Sequence, residues 1–277
     1  MTPGGGVSAV LVEEHRRSLD RVASLLASAR RVLFITGAGL SADSGLPTYR
    51  GLGGLYEKMS TPDGVPIESV LSGEMFRQKP ELTWKYLLQV EQACRGATCN
   101  AAHRVLAQLE RERGSVTVLT QNVDGFHQRA GSRNVIDIHG NLYGILCTRC
   151  RRKRQVSSYA GFPAVPRCSS CGGVERPDVV LFGENLPEEK LDWLMRELGV
   201  GFDLVISIGT SGTFPYIRLP MIRAQVYGWP SVDINPHSNP MTAYAEHHLP
   251  LRAATACEAL WQRLQRQTGD AGGSKAC

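Results

Sequence analysis

The stretch VLFITGAGLSADSG, residues 32–45, decides the fold that we expect for this chain. Its first five residues, Val32 to Thr36, are apolar or β-branched and predict a buried strand of a parallel sheet. Two glycines, Gly37 and Gly39, follow at once, and the missing Cβ lets a backbone turn tightly and approach a phosphate. A strand that runs into a glycine-rich turn is where doubly wound sheets bind a dinucleotide.

The spacing of these glycines differs from the usual GxGxxG pattern. Gly45 comes six residues after Gly39 instead of three, so we expect no standard helix directly after the turn. Glycines alone would fit an ordinary strand-to-helix turn equally well. The continuation LPTYRG, residues 46–51, favours a binding site because it places Tyr49 and Arg50 beside the expected phosphate position.

Further along the chain, predicted strands alternate with helical patterns. Apolar runs that predict strands occur at 116–119, 135–138, 179–182, 204–208 and 231–234. Glycine or polar residues follow five strand ends, which are Thr36, Leu119, Ile138, Ile208 and Ile234. In a parallel sheet these ends share one edge, where ligands bind. We therefore predict an α/β fold with a Rossmann-like doubly wound parallel sheet.

Four of the eight cysteines form two CxxC pairs, Cys147 with Cys150 and Cys168 with Cys171. Two such pairs, separated by a linker of this length, supply four thiolates for tetrahedral zinc. Four protein ligands leave no open position on the metal, so we predict one structural zinc in a small inserted module. Buried free cysteines are the less favoured interpretation.

The predicted division has a disordered arm at 1–12, a catalytic domain at 13–268 and a disordered tail at 269–277. Within the domain, the Rossmann-like core comprises about 13–47, 100–143 and 179–268. The small domain, which carries the zinc ribbon, comprises 48–99 and 144–178.

Composition narrows the class of protein. With 277 residues, 42% of them hydrophobic and 21% charged, the chain matches a globular protein. No apolar run approaches the roughly 20 residues of a membrane span, and the first residues lack signal-peptide features. We therefore expect a cytoplasmic protein with no membrane partner. The net charge of +5 gives no reason to expect nucleic acid as a partner, and nothing in the sequence indicates an oligomeric state.

Three features remain open when the residues are considered alone. The basic run Arg149–Arg154 favours a solvated face of the small module over contact with nucleic acid or an acidic protein. His139 follows a predicted strand, where a histidine usually has only a polar surface role, but an imidazole suits general base catalysis near neutral pH. Gln121, Asn122 and Asp124 fit either an ordinary turn or contacts to ribose hydroxyls and a carboxamide.

The chain resembles the sirtuins, which are NAD-dependent protein-lysine deacylases, in motifs that follow the family's order over about residues 20–265. Besides the CxxC pairs, the motifs are GAGLSADSGLPTYRG (37–51), TQNVDGFHQRAG (120–131), IHG (138–140), RPDVVLFGENLP (176–187), GTSGT (209–213) and DINP (233–236). The sequence Thr48-Tyr49-Arg50 departs from the more frequent Asp-Phe-Arg, although Tyr49 keeps the aromatic ring.

The resemblance implies that NAD binds across the sheet edge as a co-substrate. The residues implied for NAD binding are Gly37, Ala38, Gly39, Ser41, Tyr49, Arg50, Gln121, Asn122, Val123, Asp124, Gly209, Thr210, Ser211, Asn235, Pro236 and Ala254. The phosphates would lie near the glycine turn and residues 210–211. Ser41, Asn122 and Asp124 would line the nicotinamide pocket.

The resemblance also implies that the acyl-lysine of a protein substrate enters between the two domains. Its backbone would pair with Val180, Leu181, Phe182, Gly183 and Glu184 and with residues 212–214, a mode of binding that reads little sequence. His139 would act as general base on the ribose hydroxyls, and Asn122 would orient ribose and water. The products would be free lysine, nicotinamide and 2′-O-acyl-ADP-ribose. Rival functions are a mono-ADP-ribosyltransferase on the same scaffold and a non-enzymatic module that binds nucleic acid.

The acyl preference is inferred from one helix. Family members that remove succinyl and malonyl groups carry Tyr-x-x-Arg after a segment like Pro80-Glu81-Leu82, and here those two positions are Leu87 and Val90. Because no cation is present to pair with an acyl carboxylate, we predict that neutral acyl groups are removed. The alternative is that Arg77 or Arg95 reaches the acyl site.

Overall fold

The structure is a computed structural model that describes Val10 and residues 13–47 and 61–272. The predicted arm apart from Val10, residues 273–277 of the predicted tail, and both Tyr49 and Arg50 lie outside the described residues. The helices are labelled α1 (Arg16–Ser28), α2 (Ala38–Ala42), α3 (Ile67–Val70), α4 (Gly73–Gln78), α5 (Pro80–Arg95), α6 (Ala101–Arg113), α7 (Phe126–Ala130), α8 (Glu188–Val200), α9 (Pro215–Tyr227) and α10 (Ala253–Gly272). The strands are β1 (Val32–Thr36), β2 (Val116–Thr120), β3 (Val135–Asp137), β4 (Gly140–Cys147), β5 (Lys153–Gln155), β6 (Glu175–Val179), β7 (Leu204–Ile208), β8 (Ser231–Ile234) and β9 (His247–Leu249).

A six-stranded parallel sheet forms the centre of the protein. Its order is β3-β2-β1-β7-β8-β9, and the central strand β1 pairs Phe34 with Val118 on one side and Ile206 on the other. Every residue of β1, β2 and β7 is buried, because helices cover both faces. The predicted α/β fold with a parallel sheet is confirmed, and all five predicted strand ends lie in a strand of this sheet or, for Ile138, directly after one.

The two faces of the sheet have separate apolar cores. Helices α1, α6 and α10 cover one face, where Leu19, Leu106 and Leu260 are buried. Helices α8 and α9 cover the other face through Leu194 and Ile217. Among the described residues, no helix is both long enough and apolar enough to span a bilayer.

A three-stranded antiparallel sheet, in the order β5-β4-β6, forms a second layer that carries the cysteines. Helices α3 to α5 pack on it through a third core that includes Trp84 and Ile145. The prediction that residues 179–182 resume the parallel sheet is wrong, because Val179 ends β6 in this smaller sheet. Leu181 owes its apolar character to burial in the third core.

Local signals account for several helix boundaries. Asn100 begins α6 with its side-chain oxygen accepting from the Ala102 N–H at 2.9 Å, and Gly114 ends the helix in the left-handed conformation. The expectation that no standard helix starts directly after the turn is wrong, since α2 begins at Ala38, although it ends after five residues. Helix α10 continues to Gly272, within the segment predicted as a tail.

Candidate active site

The turn after β1 packs directly against the turn after β7. The Gly39 N–H donates to the Gly209 carbonyl at 2.8 Å. A Cβ on Gly39 would lie 2.7 Å from that carbonyl oxygen, and a Cβ on Gly37 would lie 2.8 Å from the Thr210 Cβ. Contact between the two turns is therefore sufficient to require glycine at both positions, independently of any phosphate.

Thr210 joins the ends of three strands. Its hydroxyl oxygen accepts from the Gln121 side-chain amide at 2.6 Å, and its carbonyl accepts from the Asn235 side-chain amide at 3.2 Å. Gln121 follows β2 and Asn235 follows β8, so two predicted binding residues meet at a third. Ser211, the next residue, is exposed beside this junction.

A second network links the glycine turn to residues 122–124. The Asn122 side-chain amide donates to the Gly37 carbonyl and the Ser41 hydroxyl, both at 3.0 Å. Ser41 in turn donates to Asp124 at 2.7 Å, and the other oxygen of this carboxylate accepts from the Phe126 N–H. Burial raises the pKa of the Asp124 carboxyl. The side-chain NH₂ of Asn122 therefore donates to protein groups, while its side-chain oxygen has no partner among the described residues.

Ala254 also lies next to the glycine turn. Its N–H donates to Asp43 at 2.8 Å, and Arg252 binds the other oxygen of that carboxylate at 2.6 Å. The start of α10 is therefore fixed to the end of α2. Pro236 is exposed after β8, next to Asn235.

His139 lies in the turn between β3 and β4. Its Nδ1 is 3.1 Å from the Gln121 carbonyl, and its Nε2 is 2.6 Å from the hydroxyl of Tyr216. A carbonyl only accepts hydrogen bonds, so Nδ1 carries the proton and Nε2 carries the lone pair. Burial lowers the pKa of His139, and the imidazole is therefore neutral near pH 7.

The residue after His139 must be glycine. Gly140 has a φ of 86°, and a Cβ there would lie 2.0 Å from the Asp178 carbonyl oxygen. The close pairing of β4 with β6 therefore fixes the backbone on which the imidazole sits. Sequence reasoning identified His139 and Gln121 but not Tyr216, whose position directly after Pro215 gave no signal.

The predicted peptide-binding segment follows β6 and is tightly held. The Val180 N–H donates to the His139 carbonyl at 2.8 Å, and Phe182 pairs its backbone with the Leu71 carbonyl and the Gly73 N–H. Arg176 binds Glu184 through two hydrogen bonds, at 2.6 and 2.9 Å. Among the described residues, Gly183 has no partner for its N–H. This segment therefore offers a substrate fewer free N–H groups than a plain strand edge.

The two predicted acyl-pocket residues lie on α5 in the third core. Leu87 is buried and Val90 is partly buried in the cluster that contains Leu181. One turn after Leu87, Glu91 is fully buried, and neither carboxylate oxygen has a hydrogen-bond partner. The Arg95 guanidinium lies 3.7 Å from Glu91.

Sequence reasoning missed Glu91. The available signal was a carboxylate on the apolar stripe of α5, at helical spacing from Leu87 and Cys94. Arg77 is exposed, and Arg95 is exposed beside Glu91. The structure therefore provides no support for the alternative in which either arginine binds an acyl carboxylate.

The four paired cysteines converge on one point. Their sulfurs lie within 4.8 Å of one another, with 3.5 Å between Cys147 and Cys171 and 3.7 Å between Cys150 and Cys168. A tetrahedral zinc with Zn–S bonds of about 2.3 Å separates its sulfurs by about 3.8 Å. The Gly173 N–H points at the Cys171 sulfur at 3.4 Å, which suits a thiolate. The donor set therefore fits one structural zinc.

The basic run is largely paired within the small module. Arg154 binds Glu175 at 2.6 Å, and Lys153 binds Asp178 at 2.8 Å. Arg149 donates to the Cys171 carbonyl at 3.1 Å. These contacts favour a structural role over recognition of nucleic acid.

Comparison with known proteins agrees with this geometry. A sequence profile of the Sir2 family matches residues 37–214. NAD-dependent protein deacylase 2 of Pseudomonas syringae pv. tomato is 50% identical over 237 residues, which cover 84% of this chain and 95% of the relative. The crystal structure of a Sir2 homolog–NAD complex is similar with a TM-score of 0.80 at 36% identity, over 89% of this chain and 94% of that one. A Sir2 structure with a deacetylated p53 peptide and 3′-O-acetyl ADP ribose has a TM-score of 0.77 at 31% identity, over 88% and 97% of the two chains. Since the profile spans more than half of the chain, the protein belongs to the Sir2 family.

Proposed function

We propose that the chain is an NAD-dependent protein-lysine deacylase, which moves the acyl group of a substrate lysine onto ADP-ribose and releases nicotinamide. The observation that carries this proposal is the neutral, oriented imidazole of His139, connected through Gln121 and Thr210 to the glycine turn. An ADP-ribosyltransferase would need the nucleotide but no base for the ribose hydroxyls. That alternative is therefore not favoured.

The proposed NAD site is the common edge of the parallel sheet. NAD supplies an electrophilic ribose carbon whose leaving group is nicotinamide. The exposed Ser211 and the glycine turn are the proposed phosphate contacts, and Asn235, Pro236 and Ala254 border the proposed adenosine side. Val123 and Gly209 complete the proposed contacts, and Tyr49 and Arg50 remain predictions.

Each polar residue has a role that its contacts support. His139 would take a proton from a ribose hydroxyl at Nε2, because Nδ1 already carries one. Asn122 would accept from ribose or water through its free side-chain oxygen, since its amide is fixed by Gly37 and Ser41. Both oxygens of Asp124 are bound to the protein, so its proposed part is to hold this side of the pocket in shape.

The proposed zinc has a structural role that follows from strand pairing. Cys147 ends β4, whose other end is Gly140, directly after His139. Its partner β6 pairs Glu175 with Cys147 and Val179 with Gly140, and then leads into the peptide-binding segment. The metal would fasten one end of this strand pair, and the catalytic residues lie at the other end. The predicted division into a core and a small domain is part of the proposal.

The proposed substrates are proteins with neutral acyl groups on lysine. Leu87 and Val90 belong to the apolar third core, and the Arg95 guanidinium is already paired with Glu91, so no free cation is offered to an acidic acyl chain by these residues. A cytoplasmic location is also part of the proposal, because four thiolates need a reducing compartment.

One incubation tests the function. The purified chain, NAD and an acetyl-lysine peptide should give nicotinamide, deacetylated peptide and O-acetyl-ADP-ribose in equal amounts by mass spectrometry. The His139→Ala variant should lose about 10²-fold or more in turnover, the usual scale for a general base, while it still binds NAD. ADP-ribose attached to protein, without O-acetyl-ADP-ribose, would instead establish the transferase.

A further inference from the structure

The hydroxyl of Tyr216 is hydrogen-bonded to Nε2 of His139, the atom that accepts a proton in the proposed reaction. Tyr216 is the second residue of α9, and its oxygen lies 2.6 Å from Nε2 of His139. Because the Gln121 carbonyl fixes the proton on Nδ1, the tyrosine must donate to Nε2. A neutral imidazole nitrogen has a single lone pair, so no second donor can reach this base while the contact persists.

The packing of the aromatic rings holds this contact in place. Tyr216 stacks on Phe214, with 5.4 Å between ring centroids, and both rings meet His139 edge to face at 5.9 and 5.6 Å. Pro215 begins the helix between them and restricts the backbone. The imidazole is therefore held by two hydrogen bonds and two aromatic contacts.

The tyrosine oxygen can still receive a proton. Burial raises the pKa of Tyr216 to about 12, so the hydroxyl keeps its proton at neutral pH. Within the part of the chain that the structure describes, no donor binds this oxygen, and its lone pairs are open to an incoming hydroxyl. A hydroxyl that donates on one side and accepts on the other can pass a proton without gaining charge.

We infer that Tyr216 is a catalytic residue that carries the proton from the ribose hydroxyl to His139. The inference rests on the proposed function. The ribose O–H bond breaks as its proton moves to the tyrosine oxygen, while the original tyrosine proton moves to Nε2. His139 becomes an imidazolium, Tyr216 stays neutral, and the ribose oxygen gains the electron pair with which it attacks the acyl carbon. The tyrosine can then donate to this ribose oxygen and accept from Nε2–H.

The Tyr216→Phe variant tests the inference because it keeps the ring and removes only the hydroxyl. We expect kcat for deacetylation to fall about tenfold or more. Exchange of labelled nicotinamide into NAD, which precedes the step that needs the base, should stay within about twofold, as should KM for the peptide. Tyr244→Phe is the matched control, because Tyr244 packs on the same core and its hydroxyl has no partner among the described residues.

A double variant separates a shared proton path from a general loss of structure. With both residues on one path, His139→Ala with Tyr216→Phe should be no slower than His139→Ala alone. Unchanged or increased kcat in Tyr216→Phe would overturn the inference, and so would an equal loss of nicotinamide exchange. An inactive wild-type protein would overturn the proposed function as well, whereas an active Tyr216→Phe variant would overturn the relay alone.

Discussion

At the scale of single residues, the site depends on side chains whose protonation is fixed by their neighbours. His139 is a base at neutral pH because burial disfavours its charged form and the Gln121 carbonyl selects the tautomer. Asp124 is buried but accepts two hydrogen bonds, which offset part of the cost of its burial. By contrast, the buried carboxylate of Glu91 accepts no hydrogen bond and has only the Arg95 guanidinium, 3.7 Å away, as a charged partner among the described residues.

The lowered pKa of His139 leads to a prediction about pH. A base must be neutral to act, and a lowered pKa extends the neutral form to more acidic solution. The acid limb of kcat for deacetylation should therefore lie below pH 6.5, the ordinary pKa of the side chain. Initial rates at saturating NAD and peptide between pH 5 and pH 8 measure it. A limb above 6.5 would contradict the assigned burial effect.

The ion pair between Glu91 and Arg95 sharpens the prediction about acyl groups. A succinyl carboxylate placed near Val90 would be desolvated without a free cation, since Arg95 is already paired with Glu91, at a cost of several kcal/mol. Since each 1.4 kcal/mol is a factor of ten, kcat/KM should fall about 10²-fold or more from acetyl- to succinyl-lysine peptide. Matched acetyl, butyryl and succinyl peptides provide the measurement.

Two variants identify the residues responsible for this discrimination. Val90→Arg should raise succinyl turnover relative to acetyl, because it supplies the missing cation. Glu91→Gln should do the same to a smaller extent, because it frees the Arg95 guanidinium from its ion pair with Glu91. Equal turnover of succinyl and acetyl peptides by the wild-type protein would refute the acyl assignment.

At the scale of elements, the sequence predicted the strands that share one recurring apolar pattern. It missed features that depend on a single packing contact. The runs that form β1, β2, β7 and β8 are apolar because both faces of the sheet are buried, and such runs can be recognised without a structure. Residues 179–182 are apolar for another reason, since Val179, Leu181 and Phe182 pack in the third core with helices α3 to α5. The short strand β9 begins with two histidines and carried no apolar signal.

The candidate site divides in the same way. Polar residues at strand ends could be found because parallel strands place those ends together, and the zinc ligands could be found from their spacing. Tyr216 and Glu91 could not, since each matters through one partner, or the lack of one, that only folding reveals.

The turn at Gly140 provides a prediction about stability. Gly140→Ala should lower the free energy of unfolding well beyond the roughly 1–2 kcal/mol that a left-handed alanine costs, because its Cβ would overlap the Asp178 carbonyl. Gly161→Ala is the control, since Gly161 has a φ of 79° and open space around its Cα. Chemical denaturation of both variants gives the comparison. Equal losses would mean that β4 and β6 separate easily at this point.

At the scale of the whole molecule, the cysteine cluster and the catalytic turn are the two ends of one strand pair. Purified protein should contain about one zinc per chain. Cys168→Ser should lower the melting temperature and the deacetylation rate together, because the pairing of β4 with β6 loses its anchor. Metal analysis, calorimetry and peptide assays on the same preparation test this. Active protein without zinc, or a Cys168→Ser variant of unchanged stability, would exclude the role.

The position of β1 has a consequence for how the protein is made. This strand pairs with β2 on one side. On its other side it pairs with β7, which comes much later in the chain and places Leu204 opposite Val32. A ribosome therefore releases the first half of the chain with a largely apolar strand whose second edge has no partner until β7 emerges. Such an edge can pair with other chains. Slow synthesis through the small module would prolong this exposure, and we expect the yield of folded protein to depend on translation speed there and on chaperones that hold apolar segments.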